Sequence, residues 1–185
     1  MRIDRNVRVL GIDDSPKGSD GKVLVAGVVY RNGTIEGVLS AHVMFDGDDS
    51  TKKTLAMLER SRFADQVKVI MLNSIMLGGL NVVDIKRLSA GLGVPVIAVT
   101  RHKPRMEKVK KAIGHVKNEK SKLKRLAAAG ESIEFHVNGT RRFAQFAGIT
   151  KEEVKLIFDA VGLEPVRLAH IIASGIVTGE SKGRL

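Results

Sequence analysis

The chain contains no cysteine. That excludes disulfides, thiolate zinc sites and a cysteine nucleophile, and it fits a reducing interior. Aromatic residues are scarce at 4%. The core is therefore expected to be built from Val, Ile, Leu, Ala and Met. No apolar run is long enough to span a membrane: the longest, "VIMLNSIMLGGLNVV", is interrupted by Asn73, Ser74, two glycines and Asn81. The first residues, "MRIDRNVRVL", carry charges inside their apolar stretch and do not read as a signal peptide. A soluble cytoplasmic protein is the expectation.

What is abundant is positive charge. The 185 residues carry a formal net charge of +11, with an isoelectric point near 10.1. Residues 101–125 concentrate it, with eleven Lys and Arg against two Glu, a net of +9. Neutralising phosphates with release of counterions is the strongest use of such a block, so nucleic acid is the first expected partner. A solvated helical face is the plainer alternative, and an anionic membrane surface is a third. The membrane reading lacks the broad apolar face of an interfacial helix.

Hydrophobic patterning predicts strands over 7–14, 22–30 and 34–45, with Asn32-Gly33 as the hairpin turn between the last two. These form an antiparallel meander. The period then changes to a helix within 46–63, a short buried strand in 66–72, a helix over 81–93 ending in glycine, and a strand over 94–99. Strand–helix–strand alternation implies parallel neighbours with right-handed crossovers. One or two basic helices are expected in 104–126, and a peripheral strand pair at 132–137 and 140–146. Two further helices follow, one with a capping box at Thr150 and Glu153, one with Pro165 in its first turn. The tail 177–185 reads as mobile. No repeat or linker divides the chain, so one domain spanning 1–185 is expected. The fold class is α/β: a mixed sheet, antiparallel meander plus parallel strands, flanked by helices. The ribonuclease H-like fold combines these features.

The acids are unevenly placed. Asp13 and Asp14 end the first strand, one directed to each face. Asp46, Asp48 and Asp49 lie between the third strand and the first helix, Asn73 ends the fourth strand, and Asp84 begins the next helix. If those strand ends are neighbours, several carboxylates converge. Convergent carboxylates call for a hard divalent cation, Mg²⁺ or Mn²⁺, which can activate water against a phosphodiester. Plainer roles compete: Asp48 or Asp49 as a helix cap, Asp84 at a helix dipole, Asp20 in a turn. The Asp13–Asp14 pair resists such an explanation, because packing gives an apolar strand no reason to end in adjacent acids. The five histidines show no ligand spacing, although His102 could touch phosphate. No serine lies in a nucleophile elbow, and no glycine cluster forms a phosphate loop.

The segments "VLGIDDS", "GVVYRNGTIEGV", "FDGDDST", "GGLNVVDI", "VPVIAVTR" and "EPVRLAHIIASG" occur in one order over nearly the whole chain. Together they resemble the archaeal endonuclease dU family, which is related to endonuclease V and has a ribonuclease H-like fold. The resemblance implies a metal-dependent endonuclease acting on DNA that contains deoxyuridine, the product of cytosine deamination. It implies metal binding by Asp13, with Asp14 adjacent, and by Asp46 or Asp49, with Asp48 third. Where the relatives place their next carboxylate this chain has Asn73, an amide, and Asp84 is the candidate that compensates. Arg101 matches a basic residue expected to contact phosphate, and Arg167 is a second candidate for DNA. Lys103 and Arg105 join them in holding the backbone without reading bases. Asn73, Ser74 and Asn81, with Gly78 and Gly79, are candidates for part of a pocket for an extruded uracil. Simple turn chemistry is the competing account of that loop. A non-catalytic nucleic-acid-binding protein on the same scaffold is the alternative function, and a homo-oligomer is compatible with either.

Overall fold

A computed structural model of the chain describes residues 3–181. Seven strands form one mixed sheet: β1 (Val9–Asp14), β2 (Lys22–Arg31), β3 (Thr34–Met44), β4 (Val69–Leu72), β5 (Val96–Thr100), β6 (Ile133–Val137) and β7 (Thr140–Ala147). Their order is β3-β2-β1-β4-β5-β7-β6. The meander β1–β2–β3 is antiparallel, and β1, β4 and β5 run parallel. The β2–β3 hairpin turns on Asn32 and Gly33, both at positive φ (46° and 80°), the conformation an Asn-Gly turn supplies. β7 lies antiparallel against β5, so the 132–146 pair, expected to be peripheral, extends the main sheet, and of the two only β6 lies at an edge.

Six helices complete the described fold: α1 (Ser50–Glu59), α2 (Ile85–Leu92), α3 (Met106–Ile113), α4 (Glu119–Ala128), α5 (Lys151–Val161) and α6 (Glu164–Thr178). α2 starts at Ile85 because the Asp84 side chain accepts the Arg87 N–H as N-cap, and it ends where Gly93 turns left-handed. Thr150 and Glu153 form the reciprocal capping box of α5. α6 runs further than the sequence implies, through Thr178, so it takes in the start of the expected mobile tail; of the rest, 179–181 follow the helix and 182–185 lie outside the described residues. No helix among the described residues is long and apolar enough to cross a membrane.

Strand alternation divides the core in two. Leu10, Ile12, Ile70, Leu72, Val96 and Ala98 face one side and pack with Met57, Leu58, Ile85, Leu88, Ile113 and Leu126 from α1–α4. Val9, Val69, Met71, Ile97 and Val99 face the other and pack with Val154, Ile157, Phe158 and Val166 from α5 and α6. α6 seats directly on β1 because Gly11 has no side chain: a Cβ there would overlap the backbone carbonyl of Pro165. That close seat fixes which α6 residue reaches the end of β1.

Candidate active site

The parity of β1 carries Asp13 to the α6 side and Asp14 to the α1–α4 side. Asp13 is 4% exposed. Its Oδ2 accepts a hydrogen bond from Asn73 Nδ2 (2.9 Å) and meets His170 Nδ1 at 2.8 Å. Asn73 is delivered by β4, whose parallel pairing continues as Asn73 N–H donates to the Ile12 carbonyl (3.0 Å). His170 comes from α6. Burial, then the neighbouring charge of Asp14, pushes the Asp13 carboxyl up to about 6, against the opposing pull of backbone N–H, His170 and Asn73. Asp14 is half-buried, and its Oδ2 accepts the Gly78 N–H (2.8 Å). Burial raises this carboxyl as well, partly offset by that N–H. Burial thus makes both of these adjacent acids resist ionisation, a kind of perturbation that clusters at functional sites.

The other predicted acids do not join them. Among the described residues, no group of three or more acidic or histidine side chains is close enough to hold a metal. Asp46, at φ 53°, accepts the Leu80 N–H through Oδ1 (2.7 Å). Asp49 Oδ1 accepts from Asn81 Nδ2 (2.8 Å) and Met44 N–H (3.2 Å), and Asp49 gives α1 no side-chain cap. Asp48 pairs with Arg125 (2.7 Å). Asp84 is spent on its cap. A carboxylate beside a loop finds backbone N–H donors as readily as a cation, and here they hold the loop 73–81. Asp13, Asp14, Asp46 and Asp49 each fix one of its positions, at Asn73, Gly78, Leu80 and Asn81.

The predicted nucleic-acid contacts divide similarly. Asn81 is fully buried: its amide donates to Met44 O and Asp49, and its Oδ1 accepts from Ser50 N–H, so it offers no edge to a base. Arg167, substantially exposed, makes a bidentate pair with Glu164 on the same helix (3.0 and 2.8 Å). Arg101 is exposed and lines a small cleft with Asn73, Thr100 and Arg142, next to the acid pair. Lys103 and Arg105 are exposed, Arg105 at the N-cap position of α3. The basic block 101–125 is not wholly a solvated surface. Lys122 is fully buried, donates to the Asp46 carbonyl (2.6 Å), and has its ammonium pKa pulled down by burial. With Arg125 it clamps α4 onto the acidic turn 46–48.

His170 and Arg142 carried no sequence signal of their own. Spacing could not single out His170, which is 157 residues from its partner Asp13.

The topology, with an acid pair ending the first strand of a mixed sheet, is that of the ribonuclease H-like fold, and solved structures agree. Human ENDOV superposes with a TM-score of 0.56 at 13% identity, covering 94% of this chain and 85% of that one. An endonuclease V from Ciona intestinalis, in complex with a 23mer DNA containing an inosine, gives 0.57 at 13%, covering 93% and 86%. A protein of unknown function from Archaeoglobus fulgidus is nearer, with TM-score 0.84 at 38% identity over 92% of this chain and 98% of that one. Residues 5–177 match the family described as endonuclease dU. A UPF0215 protein of Methanosarcina mazei is 40% identical, covering 100% of this chain and 97% of its own length. One from Methanothermobacter thermautotrophicus is also 40% identical, covering 98% and 93%. The chain belongs to the endonuclease dU family, a nuclease family.

Proposed function

We propose that this protein is a metal-dependent endonuclease that hydrolyses phosphodiester bonds in DNA containing deoxyuridine, a repair activity in which residues 1–185 act as one domain. The observation that carries this reading is the Asp13–Asp14 pair at the end of β1, Asp13 buried and Asp14 half-buried, with both carboxyls raised. Hard oxygen donors under mutual repulsion fit Mg²⁺ or Mn²⁺, which one or two protein carboxylates suffice to hold while water and substrate phosphate complete the shell. Asp13 and Asp14 would hold the ion, with the free carbonyl of Asn73 beside them. When bound, such an ion supplies Lewis-acid activation of water and stabilises charge at the phosphodiester. Asn73 and His170 orient the Asp13 carboxylate, and the second ring nitrogen of His170 remains to take or give a proton. Arg101 and Arg142, in the cleft beside Asn73, supply cations for the backbone, and exposed lysines of α3 and α4 extend that surface. The Endonuclease V from Ciona intestinalis crystallised with inosine-containing DNA supports a nucleic-acid substrate for this fold.

The amide at Asn73 and the lack of a three-ligand cluster favour one rival, a nucleic-acid-binding protein that does not cut. Labelled uracil-containing and undamaged DNA, incubated with Mg²⁺, Mn²⁺ or chelator, separates the two. The nuclease reading expects cutting of the uracil strand, abolished by chelator and by Asp13→Ala, with DNA binding retained. Binding without cutting under every metal condition would establish the rival.

A further inference from the structure

On the Asp14 side of the sheet a cavity of about 240 Å³ opens between the loop 73–77, the start of α3 and β7. Its walls include Ser74, Met76, Thr100, Lys103, Met106 and Gln145. It shares Lys103, Pro104, Met106 and Leu126 with a second cavity of about 540 Å³ beneath the α3–α4 hairpin. Ser74 follows Asn73 directly, so the cavity wall and the acid site are consecutive residues of one loop.

Gln145 distinguishes this space from an apolar crevice. It is 5% exposed, in a sheet interior where a neutral amide needs a reason to be. It sits at the level of Ala98, which is level with Leu72, one residue short of Asn73. Its Nε2 donates to the Gly130 carbonyl at 2.7 Å, which fixes the amide against flipping. Its Oε1 has no hydrogen-bond partner among the described residues, yet is not sealed from solvent-sized space. An acceptor is thus held at the cavity wall with nothing to accept. Opposite, Ser74 Oγ already accepts the Met76 N–H (3.1 Å), so its own proton is free to donate.

We propose that this cavity receives the extruded base, and that Gln145 selects it by accepting a lactam N–H. The proposal rests on the nuclease reading above and names the residue that sets its specificity. A deaminated base presents an N–H beside a carbonyl where its parent presents a bare ring nitrogen. Uracil gives N3–H to Gln145 Oε1 and a carbonyl to Ser74. Cytosine would set its N3 lone pair against Oε1, leaving two acceptors face to face. Undamaged thymine also carries the N–H but stays paired and stacked, whereas a mismatched uracil is cheaper to extrude. Hypoxanthine carries the same lactam and fits the same volume.

The test is binding to duplexes with one U·G, hypoxanthine·T or C·G pair, by fluorescence anisotropy in chelator so that nothing is cut. The wild type is expected to favour U·G over C·G. Gln145→Leu is expected to cut the ratio of U·G to C·G affinity by about tenfold or more. The hypoxanthine duplex shows which lactam the cavity takes, and Gln145→Leu must erase whichever preference exists. A Gln145→Leu protein that keeps the preference overturns the proposal. A wild type with no preference for a deaminated base overturns the deoxyuridine reading instead. If Gln145→Leu does not fold, Val109→Phe fills the same cavity from α3 and leaves the amide in place. It must lose the preference too, and its retention equally overturns the proposal.

Discussion

Replacing Asp13 by Asn should make the metal-free protein more stable at neutral pH and leave it little changed in acid. The native Asp13 carboxyl titrates near 6, and the unfolded chain's near its ordinary 3.8. Between those values the folded state binds the extra proton. Stability from this group is therefore full below about pH 4 and is lost as pH rises through about 6. Two pKa units correspond to about 3 kcal/mol. Asn can keep the hydrogen bonds from Asn73 and His170 through its carbonyl and never ionises. The wild type minus variant difference cancels the titration of groups remote from Asp13 and leaves that of Asp13 with its neighbour Asp14. Urea denaturation in chelator should thus show the wild type falling behind Asp13→Asn by about 2–3 kcal/mol between about pH 4 and pH 8. In thermal melts that is roughly 5–10 °C for a chain of this length. Excess Mg²⁺ should narrow the gap by binding the folded wild type alone. A difference flat with pH, or one that grows in favour of the wild type as pH rises, would refute the reasoning.

Two further substitutions probe the frame around the site. Gly11→Ala places a methyl on the Pro165 backbone, so α6 must lift from β1; a loss of about 3 kcal/mol or more is expected in denaturation, with the His170 ring signal in NMR losing its Asp13 environment. Lys122→Ala leaves the Asp46 carbonyl without its donor and empties a filled space; it should cost about 2–4 kcal/mol, read by chemical denaturation.

Most of the fold was legible because the chain punctuates itself. Asn32-Gly33 fixes the first hairpin, Gly93 closes α2, and Thr150 with Glu153 opens α5, so local chemistry and hydrophobic period agree at each boundary. The 132–146 strands read as peripheral because pairing of β7 with β5 is a long-range contact that no local pattern records. In the site, Asp13 and Asp14 stood out because an apolar strand has no packing use for adjacent acids. Asp46, Asp49 and Asp84 were harder, since a carboxylate before a loop or helix serves backbone N–H groups and cations equally well, and here it serves the former. Asn81 read as a loop amide open to a base and proved to be a buried bracket. His170 was invisible for a different reason: only the close seat of α6 on Gly11 brings it to Asp13.

The account turns on the buried acid pair being a seat for a divalent cation. Titration of Mn²⁺ into metal-free protein, followed by calorimetry or by the paramagnetic signal of the free ion, measures that directly. The wild type should take up Mn²⁺ with release of protons at about pH 5 to 6, where Asp13 is still partly protonated and must ionise to bind it, and with little release at neutral pH, and the double variant Asp13→Ala, Asp14→Ala should take up none at this site. Equal uptake by the two proteins would contradict it.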